Sequence, residues 1–202
     1  MSKIKICGLK RQEDIWAVNA AKPDFCGFVI EVPKSSRCVS CTQVRELTAV
    51  LHPDILPVGV FVNAPVKMVS RLLNEGTLGM AQLHGQEDEA YIRSLRGVTD
   101  KPLIQAFSIR SPEDIRRACA STADYILLDQ GSGGTGKTFD WSLADGIERP
   151  FFLAGGLGVD NLEQAVRELK PWAVDLSSRL EVEGKKDADR IREAVEIVRR
   201  IG

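Results

Sequence analysis

The chain has 202 residues, 44% of them hydrophobic, and its 27 Lys and Arg nearly balance 28 Asp and Glu, giving a net charge of -1. This balance, without any basic block, disfavours nucleic acid as a partner. The N-terminal sequence lacks a signal-peptide core, and nowhere do about 18 apolar residues run together. We therefore expect a soluble, cytoplasmic protein that does not insert into a membrane.

Short β-rich apolar segments alternate with amphipathic segments along the chain. Strands are predicted at residues 3–7, 25–30, 57–62, 80–84, 102–107, 125–129, 151–155 and 173–177. Helices are predicted to begin near Glu13, Cys41, Val66, Asp88, Pro112, Asp140, Asn161 and Asp187. Eight strand–helix units without a break in composition favour an α/β fold, a (βα)8 TIM barrel in one domain over residues 1–202. The alternative, a doubly wound open sheet, more commonly has five or six strands.

The chain contains five cysteines: Cys7, Cys26, Cys38, Cys41 and Cys119. An odd number without framework spacing is typical of a reducing compartment. Cys38 and Cys41 form a C-x-x-C pair, but no second pair or His cluster follows, so no metal site is predicted. Ser40 instead predicts the N-cap of a helix that begins near Cys41.

Residues 131–138, GSGGTGKT, fit the spacing of a nucleotide-binding P-loop. A P-loop helix begins within the GKT, whereas here the N-cap residue Asp140 places the helix start after the glycines. Too few residues follow Thr138 for the rest of an NTPase core. Nucleotide binding is therefore the disfavoured alternative, and the glycines predict a mobile cover over the barrel mouth, with Lys137 and Thr138 as loop anchors.

The active site of a parallel barrel lies at the carboxyl ends of its strands. The polar or glycine residues that the sequence places there are Cys7, Arg37, His84, Asp129, Gly155, Gly156, Ser177 and Ser178. The glycine and serine pairs follow the last two barrel strands, where barrels often bind phosphate, so a small phosphorylated substrate is predicted. Cys7 and Asp129 are predicted to act as an acid–base pair in catalysis, one as the base and the other as the acid. Structural roles remain open, because a buried Cys is usually a small hydrophobe and glycine pairs turn the chain.

Residue alternation adds a prediction about the barrel interior. Lys3, Lys5 and Cys7 share one face of the first strand, so an inward Cys7 implies an inward Lys5. A lysine inside a barrel needs a partner, and Asp175 on the neighbouring last strand is the predicted one.

The chain resembles the phosphoribosylanthranilate isomerase family in seven segments that follow the family's order: KICGL, GFVI with PKSSR, VGVFVN, QLHG, LLDQGSGGTGKTFDW, LAGGL, and AVDLSS with GKKD. The resemblance covers nearly the whole chain. It implies a (βα)8 barrel that converts N-(5-phosphoribosyl)anthranilate to 1-(2-carboxyphenylamino)-1-deoxyribulose 5-phosphate, an Amadori rearrangement in tryptophan biosynthesis. It implies no metal or organic cofactor, and the chain is expected to be a monomer or a homodimer.

The resemblance also implies roles for individual residues. Cys7 matches the general base, Asp129 the general acid, and Arg37 the residue that binds the anthranilate carboxylate. Four residues match the phosphate site: Gly155, Gly156, Ser177 and Ser178. Two residues match positions near the site without an assigned chemical role: Gln82 and His84.

Two features depart from the family pattern. Arg179 stands where the family usually has glycine, which predicts either a charge contact to phosphate or a reshaped loop. The loop after the second strand is also slightly long. Three alternatives to the isomerase remain: a histidine-biosynthesis type of sugar-phosphate isomerase, in which Asp would replace Cys7, a P-loop nucleotide binder, and a non-catalytic barrel domain.

Overall fold

The computed structural model describes residues 2–130 and 140–201. The segment GSGGTGKT lies outside the described residues, so the mobile cover and the anchoring roles of Lys137 and Thr138 stay predictions.

Parallel strands form the centre of the fold. In chain order the strands are β1 (Lys3–Cys7), β2 (Phe25–Ile30), β3 (Cys38–Val39), β4 (Leu56–Phe61), β5 (Met80–Leu83), β6 (Leu103–Ser108), β7 (Tyr125–Asp129), β8 (Phe151–Leu153), β9 (Ala173–Leu176), β10 (Glu181–Val182) and β11 (Lys185–Lys186). Strands β1, β2 and β4 to β9 pair in parallel around a ring that the β1–β2 and β1–β9 pairings close. The predicted (βα)8 barrel is therefore confirmed.

Three short strands were not predicted. Strand β3 pairs with β2 outside the ring, and β10 and β11 form an antiparallel hairpin after the last barrel strand. Strands of two residues carry no detectable alternation of apolar and polar positions, so the sequence gives no signal for them.

Helices surround the ring. They are α1 (Gln12–Ala21), α2 (Cys41–Thr48), α3 (Val66–Asn74), α4 (Glu89–Arg96), α5 (Pro112–Cys119), α6 (Leu162–Leu169) and α7 (Ala188–Ile201). Ser40 accepts a hydrogen bond from the Gln43 amide at 3.1 Å, which confirms the predicted cap of α2. Across residues 2–130 and 140–201, no helix combines the length and apolar character needed to cross a membrane.

The sixth strand–helix unit differs from its prediction. Asp140 does cap a helix, accepting from the Ser142 amide, but this is a 3-10 helix limited to Trp141–Ala144. Gly146 follows at a φ of +78°, and Pro150 comes just before β8. The segment is too short and too rich in helix breakers for an α-helix, so the prediction of a full helix here was wrong.

The two faces of each barrel strand serve different layers. On β1, Ile4 and Ile6 pack outward against the helices, while Lys5 and Cys7 face the interior. The amino-terminal end of the interior is filled by an aromatic cluster, Phe25, Tyr125, Phe152 and Trp172, in which the Tyr125 and Trp172 rings stack with centroids 4.3 Å apart. The barrel is therefore solid at this end, and its polar chemistry lies toward the carboxyl ends of the strands.

Candidate active site

A cavity of about 480 Å³ opens at the carboxyl ends of the barrel strands. Its lining includes all nine predicted site residues: Cys7, Arg37, Gln82, His84, Asp129, Gly155, Gly156, Ser177 and Ser178. A larger depression of about 770 Å³ borders α4 and α5 and shares His84, but its lining holds neither Cys7 nor Asp129. Side chains that can perform acid and base chemistry thus converge on the barrel mouth.

The Cys7 thiol lies at the end of β1, directly over Gly27 of β2. A Cβ atom at Gly27 would come 2.7 Å from Cys7 Sγ and 3.1 Å from Lys5 Nζ, so glycine leaves the space that both side chains occupy. Burial raises the pKa of the Cys7 thiol, and the nearby Lys5 ammonium opposes that rise. Cys7 thus lies in a buried pocket where two cations, Lys5 and Lys186, favour its thiolate.

Lys5 and Asp175 form the predicted ion pair inside the barrel. They are register partners on β1 and β9, and Lys5 Nζ lies 2.9 Å from Asp175 Oδ2. Burial alone would lower the pKa of Lys5, but the charges of Asp175 and Cys7 outweigh it and the pKa is raised, so Lys5 keeps its charge. Asp175 Oδ1 is buried and has no hydrogen-bond partner among the described residues, which leaves one acceptor at the cavity floor.

Asp129 ends β7 on the other side of the mouth. Its Oδ1 accepts a hydrogen bond from the Gln130 amide at 2.7 Å, and its Oδ2 lies 3.6 Å from His84 Nε2. Gln82 Nε2 lies 2.8 Å from His84 Nδ1. With Gln82 as donor in that bond, the remaining His84 proton sits on Nε2 and faces the Asp129 carboxyl. Gln82 and His84 therefore border the predicted acid.

Gly155 and Gly156 form a turn after β8 in which both residues have a positive φ and Gly155 has no room for a side chain. Their φ angles are +86° and +64°, and a Cβ atom at Gly155 would come 2.7 Å from Asp129 Oδ1. Within the described part of the chain, neither glycine amide donates a hydrogen bond. Among the residues that the structure describes, both amides of this cavity-lining turn are therefore without an acceptor, next to Asp129.

Ser177 and Ser178 follow β9 on the adjacent side of the mouth. The Ser177 hydroxyl donates to the Cys7 carbonyl at 3.1 Å, which ties the β9 loop to the end of β1. Ser178 opens the 3-10 helix Ser178–Leu180. These serines and the two glycines lie on neighbouring strand ends, as an anion site built from several loops requires.

Arg179 does not extend toward the cavity as a free cation. Its Nη2 contacts both carboxylate oxygens of Asp160 at 2.8 Å, and its Nη1 donates to the Gly156 carbonyl at 3.2 Å. Arg179 therefore bridges the loops after β8 and β9. Both expectations for this departure from the family pattern, a charge contact to phosphate and a reshaped loop, stay predictions.

Arg37 reaches the cavity from the loop after β2. It crosses Gly8, where a Cβ atom would come 2.4 Å from Arg37 Cδ and where φ is +83°. Glu181 holds the guanidinium at two points, with Nε to Oε1 at 2.6 Å and Nη2 to Oε2 at 2.7 Å. Lys186 Nζ donates to Glu181 Oε1 at 2.8 Å. Glu181 and Lys186 belong to the β10–β11 hairpin, and sequence reasoning missed both.

Comparisons with known proteins agree with this geometry. Residues 4–197 match the family model described as N-(5'phosphoribosyl)anthranilate (PRA) isomerase. The N-(5'-phosphoribosyl)anthranilate isomerase of Endomicrobium trichonymphae is 44% identical over 203 residues, covering 98% of this chain and 99% of that protein.

Solved structures give the same result. A phosphoribosyl anthranilate isomerase from Thermotoga maritima has a TM-score of 0.90 at 34% identity, covering 99% of this chain and 100% of that one. Another, in complex with reduced 1-(o-carboxyphenylamino)-1-deoxyribulose 5-phosphate, has a TM-score of 0.86 at 33% identity, with the same coverage. The chain therefore belongs to the N-(5'-phosphoribosyl)anthranilate isomerase family.

Proposed function

We propose that this chain isomerises N-(5'-phosphoribosyl)anthranilate to 1-(o-carboxyphenylamino)-1-deoxyribulose 5-phosphate in tryptophan biosynthesis, by acid–base catalysis at Cys7 and Asp129. The observation that carries the proposal is the convergence of a thiol, a carboxyl, free amides and a guanidinium on one cavity. Membership of the isomerase family supports the substrate and the reaction.

The cavity offers a place for each end of this substrate. The free amides of Gly155 and Gly156, with the serines after β9, would bind the phosphate. At the other end, Arg37 would bind the anthranilate carboxylate. Valine side chains line the cavity on the Arg37 side and would pack against the aromatic ring: Val29, Val32, Val60 and Val62.

The first step opens the furanose ring. Asp129, in its acid form, gives its proton to the ring oxygen as the C1'–O bond breaks, and the anilino nitrogen lone pair forms an iminium with C1'. The negative charge that would build on the leaving oxygen is neutralised by this proton. Gln82 and His84 border Asp129 and would hold its carboxyl toward the sugar.

The second step moves a proton from carbon. Cys7, as thiolate, takes the proton from C2', and the electrons of that bond flow into the C1'–N iminium to give an enolamine. Protonation at C1' and loss of the proton from the C2' hydroxyl then give the C2' ketone, so no atom is gained or lost. Lys5 supports this step because its charge favours the thiolate in a pocket whose burial disfavours it.

Loss of substrate fluorescence tests the proposal directly. The purified chain is mixed with phosphoribosylanthranilate formed in situ from anthranilate, and the rate is compared with that of a Cys7→Ser, Asp129→Asn double variant. We expect turnover by the natural chain and none above background by the double variant. Equal rates for the two proteins would reject the function.

A further inference from the structure

The β10–β11 hairpin contributes to the cavity although it is not part of the barrel. Its first residue, Glu181, and its last, Lys186, turn inward, and the Lys186 side chain is 1% exposed. Lys186 also donates to the Ser177 carbonyl at 3.0 Å. The hairpin thus places a carboxylate and a second cation beside Arg37, on the predicted carboxylate side of the site.

Glu181 binds one particular edge of the Arg37 guanidinium. It accepts from Nε and from Nη2 at 2.6 and 2.7 Å. Among the described residues Nη1 makes no hydrogen bond, and Arg37 lines the cavity. The Nη1/Nη2 edge of a guanidinium is a two-pronged donor that matches a carboxylate, so the Glu181 contact leaves that edge available to a ligand.

The charges of the cluster favour a second carboxylate. Arg37 and Glu181 alone would be neutral as a pair and would attract an anion weakly. Lys186 adds a positive charge 2.8 Å from Glu181, which leaves two cations against one carboxylate. A substrate carboxylate at the free edge of Arg37 would make the number of carboxylates equal to the number of cations.

Burial lowers the pKa of Lys186, and the hydrogen bond and charge of Glu181 oppose that shift. Burial works to raise the pKa of Glu181, but hydrogen bonds from Arg37 and Lys186 outweigh it and lower that pKa below its usual range. Glu181 therefore stays ionised at neutral pH and keeps both partners in place.

We infer that Glu181 and Lys186 are positioning residues that fix Arg37 for a carboxylate on the substrate's aromatic ring, and so determine specificity for a carboxylated arylamine. This inference rests on the proposed function. Glu181 acts through Arg37 and does not itself touch the substrate. A competing role is that Glu181 occupies Arg37 and must be displaced by the substrate, in which case its loss would strengthen binding.

Binding of two ligands that differ in one group separates these roles. Reduced 1-(o-carboxyphenylamino)-1-deoxyribulose 5-phosphate and the same compound without its ring carboxyl are titrated calorimetrically into the natural chain and into Glu181→Gln. The amide NH2 of Gln cannot accept from an Arg37 N–H, so we expect the carboxylated ligand to bind at least about 10-fold more weakly. The Kd of the ligand without the carboxyl should differ by less than about 2-fold between the natural chain and Glu181→Gln.

A double variant tests whether Glu181 acts through Arg37. In an Arg37→Ala background, Glu181→Gln is expected to cause no further loss of affinity for the carboxylated ligand. Stronger binding to Glu181→Gln, equal losses for the two ligands, or an undiminished loss in the Arg37→Ala background would each overturn the inference. Failure of the natural chain to bind the carboxylated ligand would instead contradict the proposed function.

Two further variants complete the design. Lys186→Gln leaves the Arg37–Glu181 contact in place but also removes the donor to the Ser177 carbonyl, so it should weaken both ligands, and the carboxylated ligand by at least about 5-fold more than the other. An equal loss for both ligands would contradict the inference, which keeps the test open if Glu181→Gln folds poorly. Glu75→Gln is the matched control, because Glu75 accepts from Arg45 Nε at 2.6 Å in a similar pair outside the cavity lining. Glu75→Gln should bind both ligands as the natural chain does.

Discussion

Lys5 Nζ lies 2.9 Å from Asp175 Oδ2 inside the barrel, and Lys5 precedes Cys7 by two residues on the same face of β1. The pair joins the first barrel strand to the last, and it places a cation beside a buried group that must lose a proton to act as a base. Each member of the pair therefore has an opposite effect on the ionisation of Cys7: Lys5 favours the thiolate and Asp175 disfavours it.

Replacing Lys5 and replacing Asp175 should shift the pKa of Cys7 in opposite directions. Lys5→Met removes the cation, so the pKa of Cys7 rises further and the thiolate fraction at a given pH falls. Asp175→Asn removes the anion, so that pKa falls and the thiolate fraction rises. The measurement is the rate of iodoacetamide alkylation at Cys7 against pH, resolved by mass spectrometry. Exposed Cys119 is the internal control, and shifts of the same sign in both variants would contradict the prediction.

Substitution of the acid and the base should remove most of the activity. Cys7→Ser and Asp129→Asn are each expected to lower kcat by at least about 100-fold, the lower end for acid–base groups. Steady-state kinetics provides the measurement, and circular dichroism checks the fold. Cys119→Ser and Asp54→Asn change the same residue types at exposed positions and should keep kcat within about 2-fold. Natural kcat in either site variant would show that its role was misassigned.

Arg179 should affect phosphate affinity more than chemistry. Arg179→Ala leaves the Asp160 carboxylate without its partner and removes a donor from the Gly156 carbonyl, so the loop that offers free amides loosens and gains negative charge. We expect KM to rise about 5-fold with little change in kcat. Inhibition by inorganic phosphate should weaken in parallel. Arg167→Ala breaks a helix pair with Glu163 and is the control; unchanged phosphate inhibition in Arg179→Ala would exclude this role.

The aromatic cluster should determine stability without affecting catalysis. Phe152 is fully buried and touches Phe25, Tyr125 and Trp172. Phe152→Ala should lower the free energy of unfolding by about 3–5 kcal/mol, because it leaves a cavity at the closed end of the barrel. Urea unfolding measures the loss. Tyr125→Phe keeps the ring that stacks on Trp172 and should be much milder; a loss as large as that of Phe152→Ala would mean that the hydroxyl, not ring packing, dominates.

Local patterns in the sequence were sufficient for much of the barrel and its mouth. Strands β1, β2 and β7 have the predicted bounds, because their apolar runs are flanked by turn residues. Residue alternation placed Lys5 inward, and register with β9 then gave its partner.

Contacts between loops that are distant in the sequence could not be predicted from local sequence patterns. Glu181 lies 144 residues from Arg37, and its carboxylate reaches the site only because a two-residue hairpin folds back over the mouth. Arg179 was noticed as a departure from the family pattern, but its partner Asp160 lies in a different loop. The 3-10 helix after Asp140 was mistaken for an α-helix because capping chemistry marks where a helix begins and not how long it continues.

The pairing of β1 with β9 has a consequence for how activity arises during folding. The thiol and the guanidinium come from the first 37 residues, whereas Asp175, Glu181 and Lys186 come from the last 28. A nascent or refolding chain can build most of its strands and helices while both ends still lack their counter-charges. Contacts of such high sequence separation are slow to form. Catalysis is therefore expected only once the ring has closed, so that the first enzymatic turnover reports the completion of folding.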